Sequence, residues 1–162
     1  MIITNCVVTN SDAEVVKEYV DSDRSALYKV YKGYHTGVDL KSSNVYSMCP
    51  GVVSIVNTMP DSKLLSVVIQ FDATNCIIYS NIVNSMVDVG QIVSTYQQIG
   101  TCKDFVHFEY ANTVPSRWPV RVGAQTFFKH DPTQLLIYGY DSIISYPGAV
   151  LSNRQTYDVV LY

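Results

Sequence analysis

The sequence predicts a mostly β protein built on an antiparallel sheet, and three observations carry that expectation. Short apolar runs with a period of two recur from Tyr28 to Tyr110. Turn signals separate them at Cys49-Pro50-Gly51, Met59-Pro60-Asp61, Asp72–Asn75 and Val89-Gly90-Gln91. Apolar residues make up 48% of the 162 positions against 15% charged, which suits one domain with a sizeable core and argues against disorder.

The elements follow in chain order. Ile2-Ile3-Thr4-Asn5-Cys6-Val7-Val8 is a short β-rich run. Ser11 and Glu14 have capping-box spacing and precede Val15, Val16, Tyr19 and Val20 at roughly helical intervals, which predicts a short N-terminal helix over Asp12–Val20. Asp21-Ser22-Asp23 reads as the turn after it. Val45-Tyr46-Ser47 and Val52–Val56 read as strands on either side of a turn, and Leu64–Phe71 and Cys76–Ile82 as the two arms of a hairpin. Ile92–Tyr96 and Phe105–Tyr110 are further short strands. Pro115, Pro119 and Gly123 mark a looping segment around the single tryptophan, Trp118. His130-Asp131-Pro132 reads as a solvent-exposed turn before the apolar Leu135-Leu136-Ile137-Tyr138. Two strand-like runs flanking Tyr146-Pro147-Gly148 predict a C-terminal β arm. The expected division is an N-terminal extension over 1–27, a domain over 28–138 and the arm over 139–162.

Composition removes several function classes. The net charge of −3, without clustered Lys and Arg, gives no nucleic-acid footprint. No run approaches the roughly eighteen apolar residues of a membrane helix, so no membrane insertion is expected. Met1-Ile2-Ile3-Thr4-Asn5 lacks the basic and apolar regions of a secretory signal, so export by that route is not expected. Cys6, Cys49, Cys76 and Cys102 form no C-x-x-C pair and read as ordinary thiols of a reducing compartment. The thirteen tyrosines suit strands, interfaces or sugar contacts alike, and Trp118 suits packing better than sugar stacking.

The chemistry centres on His35-Thr36-Gly37-Val38-Asp39. On a straight strand, positions four apart stand roughly 13 Å from each other, too far to share one ion. Thr36, Gly37 and Val38 are poor helix formers, which leaves a bend at Gly37, where no Cβ stands in the way. Such a bend can fold His35 and Asp39 onto one metal, given a third ligand from elsewhere.

With these pieces in this order, the chain resembles the lysostaphin-type (LytM-like) zinc endopeptidases, which cleave peptide cross-links in bacterial peptidoglycan. His35-Thr36-Gly37-Val38-Asp39 looks like the family's H-x-G-x-D motif, and Val45-Tyr46-Ser47 with Pro50-Gly51-Val52-Val53 like the strand pair after it. Val68-Ile69-Gln70-Phe71 and Ile78-Tyr79-Ser80-Asn81-Ile82 resemble the central hairpin. Val89-Gly90-Gln91-Ile92-Val93, Gln98-Ile99-Gly100 and Val106-His107-Phe108-Glu109 resemble the runs that close the family's domain. The resemblance spans about Tyr34 to Tyr110, more loosely to Leu136, and rests on the order and spacing of these motifs together.

The resemblance implies a LytM-like antiparallel fold and a zinc site made of His35, Asp39 and His107. Two imidazoles and one carboxylate leave a fourth position for water, the ligand count of a catalytic zinc. Glu109, on the same strand face as His107, is expected to be solvated. The family's two catalytic histidines are missing: Phe105 stands where H-x-H begins and Asn81 where Y-x-H ends. Phenylalanine moves no proton, whereas the Asn81 amide is a donor that can polarise a carbonyl or hold a water. Loss of positioned acid–base groups removes about 10²–10⁴ of rate each. The expected function is therefore a degenerate, zinc-binding, catalytically impaired peptidoglycan-endopeptidase-like domain. It serves as a structural or wall-contact part of a phage tail, virion or similar assembly. Its partners are the assembly's other structural proteins and peptidoglycan. An active zinc endopeptidase cleaving peptidoglycan cross-links is the alternative.

Overall fold

The computed structural model describes residues 1–20, 34–60 and 62–142. Asp21-Ser22-Asp23, the run from Tyr28 to Gly33, Asp61 and the proposed arm beyond Ser142 lie outside the described residues.

The strands are β1 (Ile2–Cys6), β2 (Ser11–Lys17), β3 (Val38–Lys41), β4 (Asn44–Tyr46), β5 (Gly51–Thr58) and β6 (Leu65–Gln70). They continue with β7 (Asn75–Ser85), β8 (Ile92–Val93), β9 (Gln98–Asn112), β10 (Pro119–Val122) and β11 (Gln125–His130), followed by helix α1 (Thr133–Tyr138). Among the described residues they form an eleven-stranded sheet in the order β1-β2-β3-β9-β7-β6-β5-β8, with β4 and β11 also on β9 and β10 on β11. The strand pairs are antiparallel, the arrangement that short connections permit. The protein is mostly β, as the period of two predicts.

β9 organises the sheet. β7 runs along one side of it, while β4, β3 and β11 share its length in other stretches. Alternation along it sorts the molecule into two faces. Val106, Phe108 and Tyr110 join Val38, Leu40, Ile77 and Tyr79 in the main core. His107 and Glu109 point to the opposite face, where a smaller apolar cluster of Val68, Ile78, Val122 and Phe127 sits under the β10–β11 hairpin.

Several sequence expectations need correction. Residues 12–20 are not a helix: β2 pairs with β1 on one side and β3 on the other. An isolated helix of that length is marginal, whereas a strand here buries Ala13 and packs Val15 on the core. The short helix instead lies near the other end, Thr133–Tyr138, with Leu135 and Leu136 buried. The segment read as looping around Trp118 is largely the β10–β11 hairpin. Pro119 takes the first position of its strand, where no N–H is required, and Gly123 turns the chain at φ +62°. Trp118 is buried edge-on against Tyr19, so packing explains it. His130 is no exposed turn residue but the buried end of β11, its Nε2 2.9 Å from the Val114 carbonyl. All four cysteines are buried free thiols.

Candidate metal centre

The site is assembled where β3 lies against β9. Their register places Asp39 opposite His107, so both side chains leave the same face at the same level. His35 reaches them because the chain bends at Gly37 before entering β3. The reason for glycine differs from a mere need for flexibility. A Cβ there would stand 2.5 Å from the Phe108 carbonyl oxygen and 2.8 Å from both Glu109 Cγ and His107 Cε1. Gly37 is the space that lets the His35 segment lie on β9.

The three side chains converge on one atom. Asp39 Oδ1 is 3.1 Å from His35 Nε2 and 2.7 Å from His107 Nδ1, and all three residues are buried. The three ligand atoms lie within 4.8 Å of one another. Donors around a tetrahedral zinc, with bonds of about 2.0–2.2 Å, stand about 3.3–3.6 Å apart, so both His–Asp pairs, in direct contact here, would open slightly to take the ion between them.

Proton bookkeeping supports a cation. His35 Nδ1 is 2.8 Å from the Glu18 carbonyl, which only accepts, so Nδ1 carries the proton. Nε2 of the neutral ring then aims a lone pair at the Asp39 carboxylate. Two acceptors face each other there unless a second proton or a metal ion stands between them. The donor set therefore suits zinc, whose usual ligands are imidazole nitrogen and carboxylate oxygen.

Glu109 supports this set, contrary to the expectation that it is solvated. It is 4% exposed, and its Oε2 takes the Thr36 hydroxyl at 2.7 Å and the Lys129 ammonium at 2.7 Å. The same oxygen is 3.5 Å from His107 Nε2. Burial works to raise the Glu109 pKa, but the Lys129 and then the His107 charge hold the carboxyl well below its usual range. Burial likewise favours the neutral form of Asp39, yet the hydrogen bond from His107 and the contact with His35 bring its pKa to about 2. Burial pulls His107 down, and the Glu109 charge followed by the Asp39 hydrogen bond lifts it to about 9. A carboxylate with three donors on one oxygen is a poor base, so Glu109 orients and does not abstract.

Asn81 and Phe105, which the sequence resemblance matches to the family's catalytic histidines, are built differently. Asn81 sits in a bulge at φ +70°, and its amide donates at 2.8 Å to both the Lys103 and Phe105 carbonyls. Its two N–H bonds are spent on backbone, so it does not polarise a bound carbonyl as its donor chemistry suggested. Phe105 keeps the β3 register beside His107, hence the same face, and is half-buried. Next to His107 and Glu109 opens a cavity of about 380 Å³ whose wall includes Ser66 and Ser80, hydrogen-bonded to each other at 2.7 Å. Thr36, Lys129 and the Glu18 carbonyl are contributors that the sequence reading did not single out. Thr36 lies inside the motif, but nothing local marks the other two, because they reach the site from the segment after β2 and from β11.

No protein-family model matches the chain, and no curated protein matches it. Solved structures do. A zinc-containing peptidase from Vibrio cholerae superposes with a TM-score of 0.52 at 19% identity, over 68% of this chain and 36% of that one. Lysostaphin, the antimicrobial peptidase from Staphylococcus simulans, gives 0.62 at 16% identity, over 83% of this chain and 53% of that one. A chain of the SpoIIQ–SpoIIIAH pore-forming complex gives 0.62 at 17% identity, over 90% and 96%. The chain thus spans only part of the length of the two peptidases. What the motifs, the β9-centred sheet and these superpositions establish together is the fold: that of LytM-like, lysostaphin-type peptidase domains.

Proposed function

We propose that the chain is a degenerate peptidoglycan-endopeptidase-like domain that binds zinc through His35, Asp39 and His107, is catalytically impaired, and works as a structural or wall-contact part of an assembly. One observation carries this reading. The His–Asp–His set is buried and oriented, while Asn81, spent on backbone carbonyls, and the apolar Phe105 stand at the positions that the resemblance matches to the proton-transferring histidines. Bound zinc would polarise a carbonyl and acidify its water towards a pKa of about 7. The residues here hold such an ion and orient its ligands, but they offer no positioned imidazole to move the proton. The likeness to a chain of a pore-forming complex, over nearly the whole of both chains, supports a part in an assembly. The assembly we propose is a virion or phage tail, with its other structural proteins and peptidoglycan as partners.

The test has two arms. Zinc-replete protein should carry close to one zinc per chain and leave peptidoglycan cross-bridges intact. The chains that co-purify with it from its native source should be virion or wall components. The intact donor set beside an open cavity is what favours the second reading, an active endopeptidase. Cleavage by the wild type that disappears in His35→Ala would establish it in place of ours.

A further inference from the structure

We infer that Lys129 is a positioning residue of the ion site: its ammonium holds the Glu109 carboxylate in the one place from which it orients both histidine ligands. The inference rests on the zinc-binding reading above. Its basis is a chain of contacts that starts on β11. Lys129 lies opposite Ala111 of β9, which places it diagonally across from Glu109 on the face that carries His107. Its backbone is pinned, with its N–H on the Trp118 carbonyl at 2.8 Å and its own carbonyl taking the Ser116 hydroxyl at 2.7 Å. The side chain is 6% exposed, so the ammonium is not simply reaching for water.

Glu109 then acts in two directions from one oxygen. Through Thr36 Oγ1 it grips the residue following His35, and at 3.5 Å it faces the far nitrogen of His107. A negative charge there keeps the His107 proton on Nε2 and leaves Nδ1 for the ion. Outer partners of metal-bound histidines work in this way, fixing tautomer and ring orientation. Without Lys129 the carboxylate would be buried with too little positive charge beside it, and would shift towards the cavity that Lys129 and Glu109 both line. A purely structural ion pair is the competing explanation. Such a pair adds little over apolar residues of the same size, and it does not account for the same carboxylate facing His107 Nε2 and holding Thr36.

The experiment is a zinc titration against a competing chelator for wild type, Lys129→Met, Lys129→Arg, Glu109→Gln and the double variant Lys129→Met with Glu109→Gln. Imidazole nitrogen shifts of His107 and thermal unfolding are recorded on the same samples. Lys129→Met should weaken zinc binding by about 10–100-fold and lose the single His107 tautomer. Lys129→Arg should recover most of the affinity. The double variant should bind no more weakly than the worse single one, because both changes break the same connection. It also removes both charges together, so it serves should Lys129→Met fail to fold. Zinc affinity within twofold of wild type in Lys129→Met or in the double variant, whatever happens to the melting temperature, would overturn the inference and leave the metal site standing. A wild type that takes up no zinc would instead remove the zinc-binding reading itself, and this inference with it.

Discussion

His107 and Phe105 sit two positions apart on the same face of β9, and their surroundings differ in kind. Around His107 the polar atoms answer one another: Asp39 on one ring nitrogen, Glu109 near the other, Thr36 and Lys129 behind Glu109. Around Phe105 the Asn81 side chain is turned onto backbone carbonyls, Phe105's own among them, and holds a bulge. The difference teaches which parts of such a site can change independently. Removing a ligand strands a buried carboxylate, at a cost of about 3–5 kcal/mol for a broken buried pair. Phe105 and Asn81 carry no charge, so changing either strands none. The half proposed to hold the ion is therefore tied to buried charge, and the half around Asn81 and Phe105 only to backbone hydrogen bonds.

That contrast can be broken by substitution. His107→Ala should abolish zinc uptake by elemental analysis and, by taking the partner from buried Asp39, destabilise the metal-free protein by about 3–5 kcal/mol in urea denaturation. Gly37→Ala should follow at about 1–3 kcal/mol, since its Cβ would press on the Phe108 carbonyl and the β9 backbone is slow to yield. Zinc affinity should fall with it, because Asp39 and His35 flank the displaced residue. Asn81→Ala should cost about 1–2 kcal/mol for two backbone hydrogen bonds while leaving zinc affinity unchanged, the reverse signature. If Asn81→Ala instead weakened zinc binding tenfold, the two halves would not be independent.

A pH series should give the smallest effect. The folded pKa of His107 is raised, from 6.5 to about 9, so its contribution is fully present below pH 6.5 and lost as the pH rises through about 9. Metal-free protein should therefore lose stability across that window. Zinc competes with the same proton, so the zinc-bound form should gain stability over the metal-free form as pH rises. Parallel curves for the two forms would mean that His107 is not a ligand.

The sheet and half of the site were legible in the sequence for a common reason. β5, β6 and β7 are short runs rich in Val and Ile bounded by turn signals, and His35 and Asp39 lie on one short stretch whose bend follows from residue type. β2 was read as a helix because Val15, Val16, Tyr19 and Val20 fall at near-helical spacing, and only pairing with β1 and β3 decides the matter. Glu109 was read as solvated because alternation tells which face a residue takes, not what lies across from it. Its partners Thr36 and Lys129 come from segments far away in sequence, and nothing local in the chain brings them together.

The segment after β2 has a consequence for portability. The Glu18 carbonyl takes the His35 Nδ1 proton at 2.8 Å, and the Val20 N–H returns a bond to the His35 carbonyl at 2.7 Å. The far edge of the sheet thus clamps the ring that begins the motif. A fragment cut to start at residue 28 would keep His35, Asp39 and His107 and still lose the acceptor that fixes which nitrogen His35 presents. Grafting this centre into another scaffold, or trimming it for assay, means carrying the first twenty residues along with it.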